Sequence, residues 1–275
     1  RGDKMVRHVV MPVLRMIAVL VGITFLSFSL MFLGPGDPAE KYLAGGDGNK
    51  GMISEEAIQA QREKWGLDKP FLVQYGVWLG NVFRGNLGNS YSTGRPVIQE
   101  LKKKAGPTVV LAVTSMLICV TVSIPLGVLC AYRKDKFIDN VCRIFSFIGI
   151  SLPSFLVSLL LLYFFSVQYH WFSISGENGI KGLLLPVVVL AFQSSAKLIR
   201  QVRSVILTEL GKPYVQGARA RGVKKSRILF SHVLRNAWMP ILTLVGIHFG
   251  IQLGGAAVVE SIFSWQGLGQ LAVSA

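Results

Sequence analysis

Apolar residues gather in five long runs, at 9–33, 107–132, 141–168, 183–206 and 233–259, separated by polar stretches of unequal length. As a helix, each run is long enough to cross a hydrocarbon layer of about 30 Å. The pattern therefore predicts an all-α, multi-span membrane protein. The polar stretch at 34–106 carries most of the acidic residues and is too long for a plain connection. Ser54-Glu-Glu-Ala57 predicts a capped helix with acids in its first turn, running to Trp65 before Gly66. A second helix is predicted over Phe71–Phe83, followed by a turn-rich segment from Gly85 to Pro96.

The charges give the spans a direction. Arg1, Lys4, Arg7 and Arg15 precede or open the first run, and Arg133, Lys134, Lys136 and Arg143 lie between the second and third. Lys197, Arg200, Arg203, Lys212, Arg219, Arg221, Lys224, Lys225, Arg227 and Arg235 surround the connection between the fourth and fifth. The opposite connection has Lys181, balanced by Glu177. By the positive-inside rule the N-terminus and the 207–232 segment are cytoplasmic, and 34–106 is external.

Composition agrees with a membrane protein. The 275 residues are 51% hydrophobic and 16% charged, with a mean hydropathy of +0.50. The net charge of +15 invites a nucleic-acid reading, but the cations flank apolar runs and no basic patch is interleaved with aromatic residues. Cys119, Cys130 and Cys142 fall in or beside apolar runs without metal or disulfide spacing. There is no Gly-x-x-x-x-Gly-Lys-Ser/Thr phosphate loop, so the chain is not expected to hydrolyse ATP or to bind a cofactor itself.

The most distinctive polar segment follows the fourth run. Pro213 suits a first helical turn, and a short helix from there to Arg221 would end on Gly222 in the left-handed conformation. Arg219 and Arg221 stand about 200° apart around such a helix, so they form no single solvated stripe. Gly217 has no capping role and would permit close approach of another chain. Residue chemistry alone leaves two readings open: a helix seated in a groove on a partner, or a surface helix held by lipid headgroups. Within the runs, Gln193, Ser194 and Ser195 lie in the fourth, while His248 and Gln252 share one face of the fifth. These polar residues mark where a pathway would show. Back-bonding to the helix is the favoured reading of the serines, and hydrogen bonding between packed spans that of His248 and Gln252. Met239, Pro240, Gly246, Gly250, Gly254 and Gly255 predict a fifth span that packs closely and bends.

The spacing Gln216-Gly-Ala-x-x-x-Gly222, followed by His232-x-Leu-Arg-Asn236 and Pro240, resembles the cytoplasmic coupling motif of ABC-importer permeases, in the dipeptide/oligopeptide/nickel branch. Further matches run along nearly the whole chain: Pro35-Gly-Asp-Pro38, Gly66-Leu-Asp-x-Pro70, Gln74-Tyr75, Trp78-Leu79, Gly85-Asn-Leu-Gly-x-Ser90, Arg95-Pro-Val97, Ser151-Leu-Pro-Ser-Phe155, Val259-Glu260 and Gly267-Leu-Gly269. Gln216 stands where the general motif has glutamate. The resemblance implies the type I importer permease fold, with five spans visible here and a sixth expected beyond Ala275. It also implies a bacterial or archaeal inner (cytoplasmic) membrane. Implied partners are a second permease subunit, two cytoplasmic ATPase subunits holding ATP and Mg, an extracytoplasmic solute-binding protein and the bilayer, with no nucleic acid. Coupling to the ATPase is implied for Tyr214, Gln216, Gly217, Ala218, Arg219, Ala220, Arg221, Gly222, His232 and Arg235. The candidate pathway residues are His248, Gln252, Gln193 and Ser194.

For substrate, His248 within Val-Gly-Ile-His-Phe-Gly, together with Gly85-Asn86, resembles the nickel members. A neutral imidazole suits that metal, so the expectation leans to nickel, free or chelated, over di- or oligopeptides. A secondary transporter is a competing class, but it would show acidic relays and an internal repeat. A membrane-anchored external sensor would not explain the Gly222-to-Pro240 spacing.

Overall fold

The computed structural model describes residues 10–34, 36–44, 54–90, 93–173 and 179–274. Arg1, Lys4, Arg7, Val9, Pro35 and Glu177, used above, lie outside the described residues. The chain forms two compact units, Arg1–Leu101 and Lys102–Ala275. Among the described residues the regular structure is helical, with one isolated bridge between Asn89 and Pro96.

In the first unit, α1 (Met11–Leu33) is followed by α2 (Pro38–Ala44), α3 (Glu55–Trp65) and α4 (Phe71–Phe83). Ser54 Oγ accepts from the Ala57 amide, and α3 ends on Gly66 at φ 68°. An aromatic seam holds α1 to α4, with Phe25 edge-on to Phe71 and Tyr75 and with Phe28 against Trp78. The Tyr75 hydroxyl pairs with Thr24 at 3.1 Å. This gives the apolar face of the second predicted helix a partner within its own unit.

Helix α5 (Val97–Tyr132) starts in the last residues of the first unit and belongs to the second from Lys102 onward. The other apolar runs of the second unit become α6 (Phe137–Ser151), α7 (Ser154–Leu162), α8 (Ile180–Leu210) and α11 (Leu234–Gly255). Counting α1 of the first unit, four described helices are long and apolar enough to cross a membrane, the last running from Lys225 to Gly254, and the pair formed by α6 and 154–168 makes a fifth if taken as one span. Helix α5 begins ten residues ahead of its apolar run. At about 1.5 Å per residue its 36 residues reach about 54 Å, so it projects beyond a ~30 Å core.

The third run is not one helix. It bends by 96° between α6 and the segment that starts at Ser154. Pro153 removes an amide donor and drives Leu152 to extended backbone (φ −84°, ψ 123°). The Leu152 carbonyl freed there accepts from Gln193 Nε2 of α8 at 2.9 Å. Beyond α7 the helix widens into a π-helical turn, Tyr163–Gln168.

Helix α8 is the central post. A Cβ on Gly127 of α5 would come within 2.7 Å of Val202, and one on Gly149 of α6 within 2.5 Å of Ala196, so both glycines let their helices press against it. Asp139, with no exposed side-chain surface, receives Arg203 of α8 through two hydrogen bonds of 2.6 and 2.8 Å, and Arg143 at 3.2 Å. Gly246, Gly250 and Gly254 of α11 behave differently from the close packing expected of them. An added Cβ at any of the three meets nothing within 4 Å among the described residues.

Candidate coupling and transport site

Three polar constellations occupy the second unit. The first begins where α8 ends. Short helix α9 (Pro213–Ala220) opens with Pro213 at its first position. Gly222 lies at φ 75°, its amide bonded to the Arg219 carbonyl and that of Val223 to the Ala218 carbonyl. These two bonds are a Schellman cap, the reason a glycine stands there. Val215 and Ala218 turn inward and join the apolar core with Leu229 and Val233. Tyr214, Gln216, Gly217, Arg219, Ala220 and Arg221 remain on the exposed side. A Cβ on Gly217 would project into open space. Ala218 therefore seats the helix on its own chain, while Gly217 presents bare backbone outward.

A latch that the motif reading missed fixes α9. Buried Glu209, in the last turn of α8, accepts from the Tyr214 hydroxyl at 3.0 Å and from Lys212 Nζ. The Glu209 carboxylate raises the Lys212 pKa above its ordinary value. An acid embedded among so many cations was the available signal. After α9, α10 (Lys225–Arg227) passes into a π-helical turn, Ile228–Val233, and then into α11. Ile228, Leu229 and Val233 are buried, whereas His232 and Arg235 stay exposed.

The second constellation is a seam between α8, α11 and α5. His248 Nε2 lies 2.7 Å from Gln201 Oε1, so the ring donates to the amide oxygen. Gln252 Nε2 donates to Ser194 Oγ at 2.9 Å, and Gln252 Oε1 lies 3.4 Å from the Ser115 hydroxyl. Ser194 thus receives a bond across the helices, a role that back-bonding to α8 does not supply. The structure brings Ser194 and Gln252 together and places His248 one turn away with Gln201. Gln193 stands apart at the α6–α7 break. Gln201 and Ser115 escaped the sequence reading, because their partners on other helices come within reach only when the helices pack; within α5 the Ser115 hydroxyl also bonds the Leu111 carbonyl at 2.8 Å. Among the described residues no group of three potential metal-ligating side chains is assembled.

The third lies at the opposite end. Helix α12 (Ala257–Ile262) leads through a turn to α13 (Leu268–Ser274). Fully buried Glu260 accepts from the Thr108 hydroxyl at 2.8 Å and from the amides of Gly269 and Gln270 at 2.7 and 3.1 Å. Thr108 in turn accepts from the Leu268 amide at 2.7 Å. A Cβ on Gly267 would strike the Glu260 carboxylate, and one on Gly269 would strike Ala257. Gly267 thereby leaves the space the buried carboxylate needs, and Gly269 the space for the close approach of Ala257.

Residues 123–275 match the family described as binding-protein-dependent transport system inner membrane component, and residues 5–112 match the N-terminal part described for such membrane components. A probable peptide ABC transporter permease protein of Sinorhizobium fredii is 38% identical over 94% of this chain and 83% of its own length. An oligopeptide transport system permease protein of Bacillus subtilis is 38% identical over 98% of this chain and 87% of its own. A putative peptide permease protein of Brucella suis is 35% identical over the same shares. With its several apolar helices, the chain belongs to the dipeptide/oligopeptide/nickel family of ABC-importer permeases, as a multi-pass inner-membrane transport subunit rather than an enzyme.

Proposed function

We propose that this chain forms one half of the translocation pathway of an ATP-driven importer for di- or oligopeptides. A second permease subunit completes the pathway, and an external solute-binding protein delivers the peptide. Two cytoplasmic ATPase subunits bind ATP and Mg. The end carrying α9 faces the cytoplasm, as the distribution of Lys and Arg supports. Peptide replaces nickel as the favoured substrate: each relative described above carries a peptide name, and His248 is engaged by Gln201.

The observation that carries the coupling role is the two-sidedness of α9. Val215 and Ala218 tie it to the ends of the spans, while Gly217 offers a site of close approach with open space above it. A partner gripping that face can move α9, and with it α8 through the Glu209–Tyr214 latch. The glycine face of α11, where an added Cβ meets nothing among the described residues, supports close packing against the second permease.

The test is ATPase activity and uptake by the reconstituted importer, with its solute-binding protein loaded with peptide or with nickel. Loaded-receptor stimulation by peptide alone is the expected result; stimulation by nickel alone would overturn the substrate. Gly217→Trp is expected to insert and fold as the wild type does, because its side chain leaves the chain's own surface, while losing at least about tenfold in stimulated ATPase and uptake, the equivalent of about 1.4 kcal/mol of coupling. Unchanged uptake would reduce α9 to an anchor.

A further inference from the structure

At the end of the second unit that carries α9, a cavity of about 300 Å³ opens between the end of α5, the end of α8, α9 and the start of α10. Leu207, Leu210 and Leu229 contribute an apolar wall, and Lys134, Arg219 and Lys225 bring three cations to the same space, with no carboxylate among the lining residues. Arg219 and Lys225 have no ion-pair partner among the described residues. Lys134 reaches Asp135 at 4.0 Å, but Asp135 is already bonded to Arg143 at 2.9 Å. The acid nearest in sequence to this wall, Glu209, is taken by Lys212 and Tyr214. Arg219 and Lys225 thus bring charge to the cavity with no carboxylate paired to them among the described residues. Lys134 adds a third cation that shares its one acid, Asp135, with Arg143, beside the half-buried Leu207 and Leu210.

We propose that this cavity binds the phosphate headgroup of an anionic phospholipid, with the acyl chains leaving along the apolar wall. A phosphodiester supplies acceptor oxygens for a guanidinium and two ammonium groups. The attached hydrocarbon would cover the half-buried Leu207 and Leu210, beside Leu229, which is already buried in the core. The cavity lies where long apolar helices end and basic residues begin, and basic pockets between spans on the cytoplasmic side are suited to such headgroups. The proposal goes beyond the transport role and does not depend on the substrate, since its readout is binding.

The experiment is native mass spectrometry of the assembled importer, titrated with short-chain phosphatidylglycerol or phosphatidylcholine. The wild type is expected to retain one phosphatidylglycerol in preference to phosphatidylcholine. Lys134→Gln/Lys225→Gln is expected to lose that preference by about tenfold or more, at roughly a factor of five for each lysine near a lipid surface. Lys134→Arg/Lys225→Arg is expected to keep it, which separates lost charge from lost fold. Equal retention of the two lipids by the wild type, or an unaltered preference in the glutamine variant, overturns the site. Displacement by millimolar inorganic phosphate with no dependence on acyl length would identify a free-phosphate site and overturn the lipid. Retention by the permease pair that is abolished when the ATPase subunits are added would assign the cavity to the protein interface instead.

Discussion

Glu260→Ala removes the common acceptor of the Thr108 hydroxyl and the Gly269 and Gln270 amides. A buried donor left without a partner costs about 1–3 kcal/mol, so the detergent-solubilised protein should melt several degrees lower. An unchanged midpoint would mean that water replaces the carboxylate. The same residue shows what a sequence conveys at this scale. Glu260 and Gly267-Leu-Gly269 stand out as polar or flexible positions beside an apolar run, but the hydroxyl that joins them comes from Thr108, 152 residues earlier. Asp139 with Arg203, and His248 with Gln201, are hidden for the same reason. Long-range polar pairs leave no local periodicity.

Among elements, the bend in the third apolar run is the departure with the widest effect. Prolines also occur inside α5, α8 and α11, at Pro107, Pro125, Pro186 and Pro240, without breaking those helices. Pro153 therefore could not be distinguished by its presence alone. What sets it apart is the side chain that reaches the exposed carbonyl, Gln193 from a neighbouring helix. Gln193→Leu should strand the Leu152 carbonyl and lower the melting midpoint by the equivalent of about 1–3 kcal/mol. A variant with normal stability but altered uptake would instead give Gln193 a role facing the solute. Short helix α9 was far more legible, because proline at its start and glycine past its end are local signals that act wherever the helix sits. The inward turn of Ala218 was not, since a helix so short shows no clear periodicity.

For the whole molecule, the distribution of charge predicts a sidedness that chemistry can read. With the three native cysteines replaced, cysteine placed at exposed Lys224 should react with a membrane-impermeant maleimide only in inverted vesicles, and cysteine at Gln266 only in right-side-out cells. The reverse pattern would invert the topology. The two-ended construction also carries a consequence in time. Thr108 is synthesised well before its partner: at about 5–20 residues per second, the 152 residues to Glu260 take roughly 8–30 s. Throughout that interval the start of α5 is already made while the turn that will cover it does not yet exist. Closure at Glu260 is thus a late event in biogenesis, and a ribosome that stalls before it leaves that end of the unit open for quality-control proteases to find.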